Sequence, residues 1–140
     1  MQQFLHTLQM TTRGKGLVEI TPQIRPWVEA RQIGTGLLTV FCRHTSASLL
    51  IQENADPDVR TDLEAYFERI APEGDGYIHD AEGPDDMPAH LRTALTQVQL
   101  SIPVASGRLA LGAWQGIYLF EHRSRPHRRE VVLHLLGSSC

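Results

Sequence analysis

Apolar and polar residues alternate over the start of the chain, and four strand-like runs divided by turn residues follow in its last third. Because successive side chains of a β-strand point to opposite faces, this alternation predicts strands. A continuous apolar run in the first half predicts one largely buried strand. The predicted strands span 4–13, 37–42, 98–104, 108–111, 115–122 and 129–136. Turns with glycine or serine divide the later strands, which favours an antiparallel sheet over alternating βα units.

Three short helices are predicted between these strands. The first begins at Thr21, where a capping side chain precedes a proline that fits the first turn. The second begins at Asp56 for the same reason and runs to about Arg69 with an apolar stripe at helical spacing. The third opens at Pro88. Together the elements predict antiparallel strands and short helices in a single domain over residues 1–140.

The composition narrows the class of protein. A chain of 140 residues with 41% hydrophobic residues buries a core without disulfides or metal, so any metal would serve function. The net charge of −3 and the aromatic fraction of 6% argue against a nucleic-acid partner. No apolar run approaches the roughly 20 residues of a membrane span, and the N-terminus lacks a signal-peptide pattern. We therefore expect a cytoplasmic protein without a membrane partner. Cys42 and Cys140 are expected as a core thiol and a terminal thiol.

Acidic and basic side chains occupy different parts of the chain. Twelve of the 16 carboxylates lie within 53–86, which includes a long polar loop, and 12 of the 13 basic residues are arginine. The cationic turn over 123–129 is either a solvated hairpin tip or an anion site, because the guanidinium fork suits phosphates. An anion site would combine arginine heads with serine hydroxyls, namely Arg125, Arg128, Arg129, Ser46 and Ser48.

Histidines supply the candidate metal chemistry. His44 follows a buried strand, His79 lies in the acidic loop, and His90 lies in the first turn of the third helix. Three imidazoles from three elements suit the open three-histidine arrangement of catalytic zinc, with a carboxylate such as Asp80 holding a ligand ring. The spacing alone also allows structural histidines, because no local pair such as HExxH fixes two ligands. Four other histidines compete as ligands: His6, His122, His127 and His134.

Two further features lie near the C-terminal strands. Glycines flank Trp114 and Gln115, which permits a bulge or a close backbone approach. Trp114 is expected in the core or as a stacking wall, and Gln115 as a hydrogen-bonding arm. Glu121 is a candidate buried acid for catalysis, or the partner of Arg123 or Arg125 in a salt bridge.

Four strings, taken in order along the chain, resemble one known family. They are His44–Ser48 (HTSAS), Asn54–Pro57 (NADP), His79–His90 (HDAEGPDDMPAH) and Leu111–Leu119 (LGAWQGIYL). Their order and spacing over nearly the whole chain are similar to those of the YjbQ-like family. Two positions depart from the family's pattern, because Gln99 stands where serine is common and Ala113 where threonine is usual.

The resemblance implies a single YjbQ-like domain with an α+β fold, in which antiparallel β-sheets pack with two to three short helices. It also implies that this domain assembles as a homotrimer and binds a divalent metal, expected to be zinc. The family's histidines carry over onto His44, His79 and His90 as metal ligands. The resemblance also implies a thiamine-phosphate synthase activity, which joins an aminopyrimidine diphosphate to a thiazole phosphate with loss of pyrophosphate. That activity is often treated as secondary to an unknown physiological reaction.

Two hypotheses about function follow. In the first, a trimeric metal-dependent enzyme has a pocket walled by the acidic loop and the Trp114–Gln115 turn. Asp80, Glu82 or Glu121 orients a ligand or moves a proton there, and the arginines bind a small phosphorylated metabolite. Zinc hydrolase chemistry suits the same site. In the second hypothesis, a non-catalytic trimer binds a metal or a phosphorylated metabolite.

Overall fold

The fold is built from two antiparallel sheets and three helices. A computed structural model describes all 140 residues. In chain order the elements are β1 (Gln2–Thr11), β2 (Gly16–Glu19), α1 (Thr21–Glu29), β3 (Ile33–Cys42), β4 (Ala47–Glu53), α2 (Pro57–Ile70), α3 (Asp86–Leu95), β5 (Gln99–Ala105), β6 (Arg108–Leu109), β7 (Gln115–Glu121) and β8 (Arg128–Ser139). The predicted α+β class with antiparallel sheets is confirmed. None of the helices combines the length and the apolar content that crossing a membrane requires.

Strand β8 organises the larger sheet. That sheet has the order β1-β8-β3-β5-β6, and the smaller sheet has the order β2-β7-β4. Antiparallel pairing of β8 with β3 places Leu135 beside Leu38 and Leu133 beside Val40. All four side chains are fully buried, because the alternation of each strand turns every second residue inward.

The core lies where the two sheets and α1 meet. The inward residues of β3 and β8 share one apolar cluster with Leu49 of β4 and Ile117 of β7, and Ile24 and Val28 of α1 complete it. Each fully buried leucine or isoleucine contributes about 1.5–3 kcal/mol through removal of apolar surface from water. Truncation of Leu133 to alanine would therefore cost about 2–5 kcal/mol of folding free energy.

Besides shifts of a few residues at the ends of other strands, four details differ from the sequence prediction. Strand β2 is absent from the prediction because it has only four residues and begins at a glycine. Strand β4 is absent because serines interrupt the apolar pattern at its start. Helix α3 begins at Asp86 rather than at Pro88. The predicted strand over 108–111 shortens to Arg108–Leu109.

One end of the molecule collects the ends of several elements. His44 lies two residues after the end of β3, and Arg123 lies two residues after the end of β7. Helix α3 begins with Asp86 beside Arg123, and its His90 lines the same cleft as His44. The Trp114–Gln115 turn lies at the opposite end of β7. The seven residues of that strand place the turn about 20 Å away.

Candidate metal centre

Two histidines and two carboxylates converge at this end of the molecule. Each of His79, Glu82, Asp86 and His90 offers one ligand atom, and these atoms lie within 4.8 Å of one another. Oδ2 of Asp86 is central, at 2.6 Å from Nε2 of His79 and 3.0 Å from Nε2 of His90. Oε2 of Glu82 lies 3.3 Å from Nε2 of His79. We refer to these four residues as the histidine–carboxylate cluster.

Local structure explains this convergence. Asp86 and His90 are four residues apart in α3, and side chains at that spacing share one face of a helix. His79 and Glu82 come from the loop that precedes α3. In that loop Gly83 has a φ of +103°, which glycine adopts without steric cost. The loop thereby folds back against the start of the helix.

Arg123 binds the loop and the helix together. Its Nη1 donates to Oδ1 of Asp86 at 2.7 Å, its Nε to Oδ2 of Asp85 at 2.9 Å, and its Nη2 to the carbonyl oxygen of Glu82 at 3.0 Å. Burial raises the pKa of Asp86, but the hydrogen bond from His79 and the nearby cations outweigh burial and leave the pKa below its ordinary value. Asp86 is therefore ionised, and Arg123 leaves its Oδ2 for the cluster.

Hydrogen bonding determines which nitrogen of His90 carries the proton. Nδ1 lies 3.0 Å from the carbonyl oxygen of Thr45, which only accepts, so Nδ1 is the protonated nitrogen. Nε2 lies 3.0 Å from Oδ2 of Asp86, so it faces this carboxylate either as a hydrogen-bond donor or, once deprotonated, as a metal ligand. A backbone carbonyl on the far nitrogen is a common partner of a metal-bound histidine.

His44 lies outside the cluster. Its Nε2 accepts a hydrogen bond from the backbone N–H of Glu130 at 2.8 Å, so the lone pair of that nitrogen is already used. Burial, together with the charge of Arg129, lowers the pKa of His44. The ring lines a cleft of about 710 Å³ that His90 also lines. The structure therefore brings His79 and His90 together and places His44 across a cleft from His90.

The three predicted acids have different surroundings. Glu82 belongs to the cluster, and Asp80 is exposed in a groove that His79 also lines. Glu121 is fully buried, where it accepts hydrogen bonds from Oγ1 of Thr12 at 2.6 Å and from Nε of Arg129 at 2.8 Å. Burial raises the pKa of Glu121, but these donors outweigh burial and lower it. Glu121 is the partner of Arg129 in a buried ion pair, and it does not contact a cavity.

The predicted anion-binding serines belong to a buried polar layer, which consists of Ser46, Ser48, Glu121, His122 and Arg129. Nη2 of Arg129 donates to Oγ of Ser46 at 3.0 Å. Oγ of Ser48 lies 2.8 Å from Nε2 of His122. Burial, followed by the charge of Arg92, lowers the pKa of His122 to about 3, so this histidine is neutral. These side chains bind one another rather than a ligand.

The other two predicted arginines lie on the surface. Arg128 is exposed and donates to Oε1 of Gln9. Arg125 is exposed beside a groove that also contains three carboxylates, those of Glu73, Glu82 and Asp85. Neither arginine has surroundings that favour an anion.

The Trp114–Gln115 turn does not wall the cleft of its own chain. Trp114 is 65% exposed rather than part of the core. Oε1 of Gln115 accepts a hydrogen bond from the backbone N–H of Gly112 at 2.8 Å, which closes the turn on itself. The two departures from the family pattern, Gln99 and Ala113, are both exposed and lie outside the cluster and the cleft.

None of the four competing histidines joins the cluster. His122 is buried, and His6 stacks on Trp27 with ring centroids 5.6 Å apart. Nδ1 of His127 lies near a backbone carbonyl, and Nε2 of His134 lies 2.9 Å from a glutamine oxygen on the neighbouring strand.

Sequence reasoning missed two residues of the site, Asp86 and Arg123. The signal for Asp86 is its position four residues before His90, because a helix that begins at Asp86 puts both side chains on one face. Arg123 has no local signal. Its carboxylate partners lie 38 and 37 residues earlier in the chain, so only the fold brings them together.

The chain matches known proteins over nearly its whole length. Residues 6–138 match the model of the family described as UPF0047 protein YjbQ-like. The chain belongs to this family. A UPF0047 protein of Synechocystis sp. is 53% identical to it over 97% of this chain and 93% of the relative. The UPF0047 protein YjbQ of Salmonella typhimurium is 41% identical over 96% of this chain and 98% of the relative. The family resemblance is thus confirmed, and these descriptions state no reaction or ligand.

Solved structures share the fold. A YbjQ-like protein of unknown function from Sulfolobus solfataricus superposes with a TM-score of 0.87 at 22% identity, over 98% of this chain and 100% of that one. A conserved hypothetical protein from Thermus thermophilus superposes with a TM-score of 0.80 at 39% identity, over 94% and 99% of the two chains. The similarity to the Sulfolobus solfataricus protein supports the fold alone, because the sequence identity is low.

Proposed function

We propose that the histidine–carboxylate cluster binds a divalent metal ion, that this ion is zinc, and that the protein is a metal-dependent enzyme. One observation carries this proposal: Nε2 of His79 and Nε2 of His90 lie 2.6 and 3.0 Å from the same oxygen of Asp86. Imidazole nitrogens and carboxylate oxygens are ligands that zinc accepts. Two histidines with one carboxylate form a common ligand set of catalytic zinc, which keeps a further position open.

Each residue of the cluster has a role in this proposal. His79, His90 and Asp86 are the ligands, so that Asp86 takes the place that the family resemblance gives to His44. Glu82, with a side chain that is 65% exposed, is the acid–base group beside them. Arg123 keeps Asp86 ionised and oriented. When bound, the metal would supply Lewis acidity that neutralises charge on a phosphoryl or diphosphate oxygen.

From the family resemblance, we propose that thiamine-phosphate synthase chemistry is one reaction of this site and is secondary to another reaction on a phosphorylated small molecule. The step joins an aminopyrimidine carbon to a thiazole nitrogen and releases pyrophosphate. Charge develops on the departing diphosphate, and a divalent cation stabilises that charge. Zinc-dependent hydrolysis of a phosphate ester suits the same ligands.

Pyrophosphate release from the two substrates tests this reaction. Zinc-loaded wild type should release it, and Asp86→Asn should lose the activity, because the substitution removes the charge of a ligand. Asp75→Asn is the matched control, since Asp75 is an exposed loop carboxylate outside the cluster. Equal rates in the wild type and Asp86→Asn would exclude the metal-dependent reaction.

One observation favours a second candidate, a non-catalytic trimer that binds a metal or a phosphorylated metabolite. His79 and Glu82 are exposed, whereas catalytic electrostatics are strongest where water is excluded. This candidate predicts zinc binding that depends on Asp86, with no turnover of any phosphate ester offered.

We also propose that the chain forms a homotrimer through the outer face of the five-stranded sheet. On that face Leu5, Leu37, Phe41 and Leu136 are between 39% and 71% exposed. The three adjoining cross-strand rows hold no Asp, Glu, Lys or Arg. The rows are Gln3-Leu136-Leu37-Pro103, Leu5-His134-Thr39-Ser101 and Thr7-Val132-Phe41-Gln99. Depletion of charge is typical of interface centres, and other copies of this chain are the occupants that we propose.

Sedimentation tests this assembly. The wild type should sediment as a trimer, and Leu37→Glu with Leu136→Glu should be monomeric because the pair places two charges in the interface. Leu95→Glu, on the exposed side of α3, is the control and should remain trimeric. A monomeric wild type would contradict the proposal.

We place the protein in the cytoplasm. Both cysteines are unpaired, Cys42 in the core and Cys140 at the surface, and free thiols persist in reducing compartments. Recovery of the protein in the cell-envelope fraction would contradict this location.

A further inference from the structure

The cleft beside the histidine–carboxylate cluster is large enough for a small molecule. It lies between the end of β3, with the segment that follows it, and one face of α3, and His90 belongs to both the cleft wall and the cluster. Its volume of about 710 Å³ falls within the usual range for small-molecule sites. A molecule in this cleft would therefore lie next to the proposed metal ligands.

The lining of the cleft is cationic. No carboxylate lines it, although the chain has 16 acidic residues. Two arginines line the cleft, Arg43 and Arg129. The guanidinium of Arg129 is already bound by Glu121 and Ser46. Arg43 is exposed, and it is not among the arginines that form ion pairs, which are Arg92, Arg123 and Arg129. Its charge is therefore uncompensated.

Two uncharged donors also belong to the walls of the cleft. Nε2 of His44 accepts the N–H of Glu130, so in the neutral ring the proton is on Nδ1, which has no partner within the chain. The hydroxyl of Thr93, on the opposite wall, is buried without a hydrogen-bond partner. An oxyanion in the cleft would supply acceptors for these donors.

The rest of the lining is apolar. Phe41 is 43% exposed, and Ala94 and Val98 also line the cleft. A ligand that fits the whole surface combines an oxyanion with a flat or apolar organic group. A free inorganic anion would leave the apolar wall in contact with water.

We propose that Arg43 is the anion anchor of this cleft, and that it binds the phosphate group of a phosphorylated small organic molecule. Nδ1–H of His44 donates to the same phosphate, and the organic group packs along Ala94 and Val98. This assignment replaces Arg125, Arg128 and Arg129, the arginines that the sequence indicated. It rests on the proposed function in placing the ligand beside His90 for reaction, but the anion site itself needs no metal.

Calorimetric titration of the full chain with phenyl phosphate tests this assignment. The protein is first treated with a chelator, so that only the cleft is measured. Arg43→Gln should weaken binding about 10-fold or more, because it removes charge-assisted hydrogen bonds. Arg125→Gln, an equally exposed arginine outside the cleft, should change binding less than about twofold. Phenol, which lacks the anion, should bind far more weakly than phenyl phosphate.

Three results would overturn the proposal: no binding to the wild type, equal binding to the wild type and Arg43→Gln, or a loss in Arg125→Gln instead. Equal melting temperatures of the two variants show that both are folded. Zinc titration of the same proteins separates this proposal from the proposed function, since Arg43→Gln should bind zinc as the wild type does. A wild type that binds phenyl phosphate but no zinc would refute the metal centre and leave the anion anchor standing.

Discussion

The buried polar layer and the histidine–carboxylate cluster lie at the same end of the molecule and use the same residue types. In the buried layer, donors from Thr12, Arg129 and the backbone surround the carboxylate of Glu121. In the cluster, Nε2 of His79 and Nε2 of His90 converge on one carboxylate oxygen of Asp86. The carboxylate of Glu121 is thus satisfied within the chain, whereas we propose that a metal ion joins the ligand atoms of the cluster. A carboxylate enclosed by donors indicates structure, and converging ligand atoms at the surface indicate a binding site.

Removal of the buried charge should have the largest effect. Glu121→Gln leaves the guanidinium of Arg129 buried without its counter-charge, which costs about 3–5 kcal/mol when a buried pair is broken. Urea unfolding measures this loss. Zinc affinity of the folded variant should equal that of the wild type, because Glu121 does not touch the cluster. A loss of unfolding free energy below about 1 kcal/mol would contradict a structural role for the Glu121–Arg129 pair. The buried polar layer would then no longer differ from the histidine–carboxylate cluster.

Removal of a cluster histidine should lower zinc affinity and leave the unfolding free energy nearly unchanged. His90→Ala should lower zinc affinity more than about 100-fold, since loss of an outer partner alone costs about 10- to 100-fold. Its unfolding free energy should change little, because the side chain is partly exposed. His127→Ala, which alters a histidine outside both the cluster and the proposed trimer face, is the control for both measurements. Unchanged zinc affinity in His90→Ala would contradict the ligand assignment.

The role of Arg123 gives a smaller effect. Arg123→Met removes the donors that orient Asp86 and the loop, so zinc affinity should fall about 10- to 100-fold. Arg125→Met is the matched control and should change affinity less than about twofold. Equal affinities in the two variants would show that the cluster forms without support from Arg123.

The pH dependence of stability tests the buried layer. Because the folded pKa of His122 is about 3 and the unfolded value is near 6.5, the unfolded chain binds the additional proton as the pH falls below 6.5. Stability due to this residue should drop by about 2 kcal/mol between pH 7 and pH 5, above the range in which carboxylates titrate. His122→Phe should remove that part of the slope in urea unfolding at each pH. A slope as steep as that of the wild type would show that His122 is not buried in the neutral form.

Local patterns predicted the parts of this molecule that depend on local physics. Alternation identified β8, because its inward residues Val131, Leu133 and Leu135 are apolar at every second position. The strand β4 was missed because Ser48 is buried by a partner, His122, that lies far away in sequence.

The site shows the same division. His79, Glu82 and His90 were predicted from a single stretch of the chain, and the structure brings them together. The pairing of Asp86 with Arg123 joins a helix start to the end of a strand, so it follows from tertiary structure alone. His44 was expected as a ligand from the family resemblance, but the backbone of Glu130 uses its Nε2.

Anomalous diffraction from crystals grown with zinc, collected on both sides of the zinc absorption edge, tests the central claim most directly. We predict one strong peak per chain, bonded to Nε2 of His79, Nε2 of His90 and Oδ2 of Asp86. Removal of the zinc by a chelator should leave the apolar core and the buried polar layer unchanged. A peak at His44, or no peak at the histidine–carboxylate cluster, would contradict the account.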